Sequence, residues 1–310
     1  MVLINKVILS GGLDKAMKAY LDGFFKRFDY SEEDSAFLMG AYDKIIKNAE
    51  TKNIWEKSIS IYDESIDCDY KEILMLADDV ASKLYLHEYT VELLIFICLS
   101  KRTQKIYEER GIPDEIFYNS MLDLKYKTDE CKIVKGIVGS FVAEWFVGFF
   151  NLTRFALGRL QFEIKDFEEH YEKNGKRLTP ESKVINIHIP RTLTPLDEES
   201  CNDAFQMAKL FFEKEIGPAC AFVCYSWLLY PENKKILSEN SNVYRFMSKF
   251  DLIKSGISKN GDDLWRIFDT DERNCNRLPV NTSMRKAYVN HLKNGGKTGW
   301  GYGVFFYDER

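Results

Sequence analysis

Residues 183–212 read KVINIHIPRTLTPLDEESCNDAFQMAKLFF and fall into three parts. Lys183 to Pro190 alternates, with Val184, Asn186 and His188 set against Ile185, Ile187 and Ile189, which is the period of a strand. Arg191 to Leu196 carries hydroxyls and a proline and reads as a turn. Asp197-Glu198-Glu199-Ser200 then opens a helix whose Cys201, Ala204, Phe205, Ala208, Phe211 and Phe212 share one face, and Gly217-Pro218 ends it. Strand, turn and helix in that order predict an α/β layer with His188 at the end of a strand.

Upstream, Phe155 onward also alternates, with Leu160, Phe162 and Ile164 on one side and a polar stripe of Arg159, Gln161 and Glu163 on the other. Tyr171 to Ser182 is a polar turn. Downstream, Ala219 to Leu229 is apolar almost throughout, as in an interior strand covered on both faces. A helical stretch follows from Pro231 to Phe250. Leu252–Ser258 and Leu264–Asp269 flank Asn260-Gly261 and predict a hairpin. Thr282 to Leu292 predicts a final helix, and Gly303 to Tyr307 a closing strand.

The first part of the chain differs. Six of the seven prolines and 13 of the 18 glycines lie after residue 128. Ser31-Glu32-Glu33-Asp34 resembles a capping box. Ile73, Leu76, Ala77, Val80 and Leu84 form one face of an amphipathic helix, and Leu93 to Leu99 is apolar all round. Gly111-Ile112-Pro113-Asp114 stops one helix and starts the next. Residues 133–155 read as a buried helix or a buried strand. The expected division is a helical domain over 1–125 and a mixed-sheet domain over 126–310.

The length of 310 residues suits two domains with ordinary cores, at about 100–200 residues each. A formal charge of −5 disfavours nucleic acid as the main partner and leaves room for a small anion held locally. The charge-free stretches 136–143 and 145–153 fall well short of the ~20 residues that span a bilayer, so no membrane partner is expected. The seven cysteines are scattered and read as reduced thiols, which together with the weak apolar content of the N-terminus predicts a cytoplasmic protein. The four histidines are widely spaced and no Cys-x2-Cys pair occurs, so no metal site is expected. Gly295-Gly296-Lys297-Thr298-Gly299 lacks phosphate-loop spacing and reads as a turn.

The element order over 184–250 resembles the core of the GNAT-type N-acyltransferases. The whole chain is similar to a bacterial group that pairs a helical N-terminal domain with a GNAT-like C-terminal one. The shared stretches are RGIPDEIFYNSMLDL (110–124), GRLQFEI (158–164), INIHIP (185–190), FVCYSWLL (222–229), SNVYRF (241–246) and TSMRKA (282–287). The resemblance implies an α/β (α+β) fold with helices flanking a mixed sheet. It also implies acyl transfer from coenzyme A (acyl-CoA as co-substrate, no metal) to the amine of a small molecule.

The resemblance further implies site roles. Arg191 takes the first place of the Arg/Gln-x-x-Gly-x-Gly/Ala phosphate turn, while Thr194 and Leu196 stand at its small positions. Arg191, Thr192 and Thr194 are the expected cofactor contacts. His188 is the expected base, with a hydrogen-bonded structural histidine as the other reading. Glu163 is an alternative base, and Tyr225 could protonate a leaving thiolate. Arg159, Gln161 and Ser226 are candidate substrate contacts. Tyr244 lies close to the place of a general acid, although Arg245 aligns better. Cys224, on an apolar strand, reads as structural. The rival function is a non-catalytic binding or scaffold protein that kept the fold and lost the phosphate turn. An open cleft between INIHIP and FVCYSWLL favours the enzyme, and a sealed seam favours the scaffold.

Overall fold

The computed structural model describes residues 2–192, 194–216, 220–261 and 263–307. The chain forms two compact units that divide between Leu152 and Thr153. The expected boundary at 125/126 falls inside a continuous helix.

The first unit is helical: α1 (Val2–Arg27), α2 (Glu32–Lys47), α3 (Ala49–Glu64), α4 (Tyr70–Leu84), α5 (Glu88–Glu109) and α6 (Asp114–Lys135). A 3-10 turn (Ala143–Phe146) and the short α7 (Val147–Phe150) complete it, so 133–155 is neither one buried helix nor one buried strand. The expected signals are used. Ser31 caps α2 by accepting from the Asp34 amide, and Pro113 precedes the first turn of α6. Leu93 to Leu99 are all buried, making α5 the central helix. Buried Asp34 is held 2.7 Å from Lys132, tying α2 to α6.

The second unit is built on a six-stranded sheet. Its elements are β1 (Arg154–Leu157), β2 (Leu160–Asp166), β3 (Tyr171–Lys173), β4 (Lys176–Leu178), β5 (Lys183–His188), α8 (Glu198–Phe211) and β6 (Ala221–Ser226). Then come α9 (Asn233–Ile236), α10 (Asn242–Met247), β7 (Asp251–Ile257), α11 (Leu264–Phe268), α12 (Ser283–Lys293) and β8 (Gly299–Phe306). The sheet order is β1-β2-β5-β6-β8-β7, while β3 and β4 form a separate hairpin. Among the described residues only β5 and β6 pair in parallel, as their connection through α8 requires.

One sheet face is an aromatic core. Phe162 and Phe222 pack edge-on and tilted against Phe205 of α8, which also meets Phe305. Asp197 caps α8 by accepting from the Ser200 amide, so the acidic DEES run is a helix cap. Gly217, Pro218 and Ala219 lie outside the described residues.

Several expectations change. The run from Phe155 is two strands, because Gly158 takes a φ of 64° and turns the chain. Arg159 therefore sits in the turn between β1 and β2, not on the strand with Gln161 and Glu163. The Asn-Gly hairpin is at Asn174-Gly175, where both residues have positive φ (52° and 77°) and join β3 to β4. At Asn260-Gly261 the chain instead makes a 3-10 turn, and Leu264–Phe268 is the helix α11. The apolar residues read as a second strand pack into a separate cluster in which Ile267 and Phe268 meet Leu237, Leu278, Tyr288 and Val289. The partner of β7 is β8, more than 40 residues further on. The stretch 231–250 holds two short helices rather than one.

β8 reads GWGYGVFF, and its alternate glycines are a packing requirement. A Cβ on Gly301 would press into the Leu229 carbonyl, so the 3-10 turn Trp227–Leu229 can cross the strand only over glycine.

Candidate active site

On the sheet face opposite the aromatic core, the register lines up polar groups from three strands. Arg154 of β1 faces Glu163 of β2, Glu163 faces Asn186 of β5, and Gln161 faces His188. Glu163 is the hub. Its Oε2 accepts from Arg154 Nη2 at 3.0 Å. Its Oε1 accepts from Asn186 Nδ2 at 2.9 Å, lies 2.8 Å from His188 Nε2, and meets Lys165 Nζ at 3.1 Å. Such a buried carboxylate is tolerable because both of its oxygens have donors.

Burial pushes the Glu163 carboxyl up, but the hydrogen bond from His188, the Arg154 guanidinium and the Asn186 amide outweigh it and hold it well below the usual carboxylate range. Burial lowers the His188 pKa; Glu163 opposes that, while Arg154 and Lys165 reinforce it. The pair at neutral pH is thus an anionic Glu163 accepting Nε2–H from a neutral His188, a tautomer assigned from the network. The basic lone pair is then on Nδ1. An imidazole held in this way is chemically able to accept a proton.

The second feature is the seam beside His188. The parallel ladder between β5 and β6 pairs Ile185 with Phe222 and Asn186 with Val223, and runs no further among the described residues. β6 itself continues, pairing with β8 as far as Ser226↔Gly301. Beyond Asn186 and Val223 the two strands are not laddered to each other. His188 ends β5 and Tyr225 lies near the end of β6, both on the face that carries Asn186 and Val223. Tyr225 is 60% exposed and packs on Trp300 with ring centroids 4.9 Å apart. Burial raises its hydroxyl pKa, so it stays protonated at neutral pH.

The expected cofactor turn follows β5 directly. Arg159 fastens it from outside: Nε donates to the carbonyls of Thr194 (2.9 Å) and Pro195 (3.2 Å), and Nη1 to Pro190 (3.2 Å). Its guanidinium is thereby engaged with the backbone of the turn. Thr192 Oγ1 donates to the Thr194 carbonyl at 3.1 Å, and Leu193 lies outside the described residues. Arg191 Nη2 donates to Asp269 Oδ2 at 2.9 Å.

The structure thus brings His188, Glu163 and Gln161 together, sets Tyr225 on the same sheet face of the neighbouring strand, and places Arg191, Thr192 and Thr194 in the adjoining turn. Ser226 is not part of this group. It points to the opposite face, and its hydroxyl accepts from the Leu228 amide, capping the 3-10 turn. Cys224 is buried, and burial pushes its thiol far up, which removes it as a nucleophile. Tyr244 lies in α10, whose first turn Ser241 caps. Among the described residues no group of His, Cys, Asp and Glu could hold a metal ion. No described helix is long and apolar enough to cross a membrane. Sequence reading missed Arg154, Asn186 and Asp269. Asn186 had a signal, since it shares the His188 face, but Arg154 and Asp269 are set by register and by a distant loop.

Comparison with known proteins agrees with this layout. Residues 19–152 match the model of the N-acyltransferase N-terminal domain, and residues 154–305 that of the GNAT-like C-terminal domain. No curated protein matches. Among solved structures, an acyltransferase in complex with decanoyl-CoA and teicoplanin is similar over 92% of this chain and 87% of its own, with 18% identity and a TM-score of 0.69. An acyltransferase mutant in complex with octanoyl-CoA has 19% identity and a TM-score of 0.70, over 93% of this chain and 87% of its own. A third, an acyltransferase in complex with CoA and 10C-teicoplanin, has 19% identity and a TM-score of 0.70, over 92% and 87%. The likeness to these structures is one of fold. The two domain matches, adjoining at the boundary between the compact units, show that the chain belongs to the family that joins an N-acyltransferase N-terminal domain to a GNAT-like C-terminal domain.

Proposed function

We propose that the protein is an acyl-CoA-dependent N-acyltransferase that joins the acyl group to the amine of a small molecule by direct attack. The observation that carries this reading is the end of the β5–β6 ladder at Asn186↔Val223, with His188, paired to Glu163, on the strand just past it. An extended pantetheine arm needs such a break, because it docks by hydrogen bonding to strand edges that are not already laddered. The acyl-CoA ligands of the neighbouring acyltransferases support the same cofactor. A zipped seam would have favoured the scaffold reading.

In the proposed step His188 Nδ1 accepts the proton of the attacking amine while the C–N bond forms. The C–S bond then breaks, and the departing thiolate takes a proton from the Tyr225 hydroxyl, which solvent restores. Glu163 holds the imidazole by Nε2–H and stabilises the imidazolium, while Arg154 and Asn186 fix Glu163. Gln161, beside His188, contacts substrate. Arg191, Thr192 and Thr194 contact the phosphates of coenzyme A.

Thermal-shift titration with acetyl-CoA, octanoyl-CoA and decanoyl-CoA tests the reading. At a ligand concentration of 100 Kd the stabilisation is about 2.7 kcal/mol. Failure of all three to raise the melting temperature at millimolar concentration refutes it.

A further inference from the structure

Arg191 poses a problem that the turn alone does not solve. The glycines that would let backbone amides cradle a pyrophosphate are replaced by Thr194 and Leu196, and Asp197 already takes an amide of the α8 first turn. An anion at this turn must be held by side chains, and a flexible arginine on a loop is a poor anchor unless something fixes it.

The fixing group comes from the long excursion between β7 and β8. Asp269, just past α11, has a φ of 55° and points its carboxylate at the turn. Oδ2 accepts from Arg191 Nη2 at 2.9 Å and from Arg285 Nη2 at 2.5 Å. Arg285 is in turn locked: Nε donates to the Ile267 carbonyl at 2.9 Å and Nη1 to Asn281 Oδ1 at 2.9 Å. Arg285 and Asp269 are mostly buried, with side-chain exposures of 13% and 19%, whereas Arg191 is 38% exposed. Two arginines on one carboxylate leave a positive charge in excess, and it resides on the outer, accessible member.

We propose that Asp269 is a positioning residue for phosphate recognition: braced by Arg285, it holds Arg191 so that the remaining guanidinium N–H groups face a phosphate of coenzyme A. The excursion between β7 and β8 thereby replaces the missing glycine cradle. This rests on the acyl-CoA reading above. Asp269 itself touches no ligand and acts through Arg191.

The test is calorimetric titration of the full chain with CoA and with pantetheine, which lacks every phosphate. Asp269→Asn suits the site, because asparagine tolerates positive φ and keeps the side-chain shape. It is expected to weaken CoA about 5- to 20-fold, the size of a lost charge-assisted hydrogen bond, and to leave pantetheine unchanged. Asp269→Glu should recover part of the loss. Arg191→Ala should weaken CoA at least as much, and the double variant no more than Arg191→Ala alone. CoA binding as tight as wild type or tighter in Asp269→Asn overturns the proposal, since it would mean that the carboxylate merely occupies the arginine. An equal loss for pantetheine overturns it as well, as a general disturbance of the fold. Should Asp269→Asn not fold, unchanged CoA affinity in Arg191→Ala overturns it alone. If wild type binds no CoA, the acyl-CoA reading falls and this proposal with it, a result distinct from the others.

Discussion

Glu163→Gln separates the roles of charge and shape in the polar hub. Glutamine keeps the size of the side chain, and its carbonyl oxygen can still accept from Asn186 and from His188. Its amide, however, now faces Arg154 Nη2, where the carboxylate oxygen stood at 3.0 Å, so donor meets donor. Side-chain exposures of 11% for Arg154 and 10% for Glu163 leave little water to compensate. Removing one partner of a buried ion pair costs about 3–5 kcal/mol, and the two retained hydrogen bonds bring the expectation to about 2–3 kcal/mol. For a unit of this size that is a fall in melting temperature of about 5–10 °C. Acidity gives a second handle. The folded pKa of Glu163 is depressed, so its contribution is complete above the unfolded value of about 4.3 and is lost as pH falls below it. Melting curves of wild type and Glu163→Gln between pH 7.5 and 3.5 should therefore differ most at neutral pH and converge in acid. A gap below about 0.5 kcal/mol at pH 7, or one that widens in acid, would refute the account of the hub as a desolvated, mutually dependent set.

Other perturbations read other parts of the molecule. His188→Ala should lower acyl transfer by about 10²–10⁴-fold with little change in acyl-CoA affinity, and a small effect on rate would dismiss the imidazole as base. In wild type the rising limb of the pH–rate profile should lie below pH 6.5, because burial lowers the His188 pKa; a limb above neutrality contradicts that sign. The same depression means that the unfolded chain binds the proton that the folded one refuses, so His188 removes stability as pH falls through 6.5. Arg159→Ala frees the three carbonyls of Pro190, Thr194 and Pro195, and should speed hydrogen exchange in 190–196 while leaving α8 protected. Uniform protection across that turn would show that Arg159 is dispensable. Gly301→Val places carbon against the Leu229 carbonyl, and soluble protein with a wild-type melting temperature would contradict the crossing described for that strand.

Much of the layout could be read from residue order. The alternation of β5, the cap and apolar stripe of α8 and the apolar β6 are local signals, and each produced the element expected. The failures have two causes, a local break in the alternation that is easily passed over and a choice of partner that is not local. The alternation changes phase at Leu157-Gly158-Arg159-Leu160, from Phe155 and Leu157 to Leu160, Phe162 and Ile164, and reading the run as one strand gives Arg159 a face it does not have. Asn260-Gly261 has the composition of a hairpin, but its flanks go to different places: Ile257 to the sheet ladder with Gly299, and Ile267 to the helical cluster. At the site, the His188–Glu163 pair could be proposed residue by residue, whereas their contact depends on the antiparallel register of β2 and β5. Asp269 could not be found at all, because it reaches Arg191 across 78 positions of chain.

The placement of β8 between β6 and β7 bears on synthesis. Residues 299–306 are made last among the strands yet fill an interior slot, so a nascent chain carries two raw β edges, one on β6 and one on β7, while the intervening 40-odd residues are still emerging. Such edges are templates for wrong pairing. A ribosome pausing within that window would hold the chain in its most adhesive form, and closure of the sheet would then act as a single late snap rather than a gradual growth from one side.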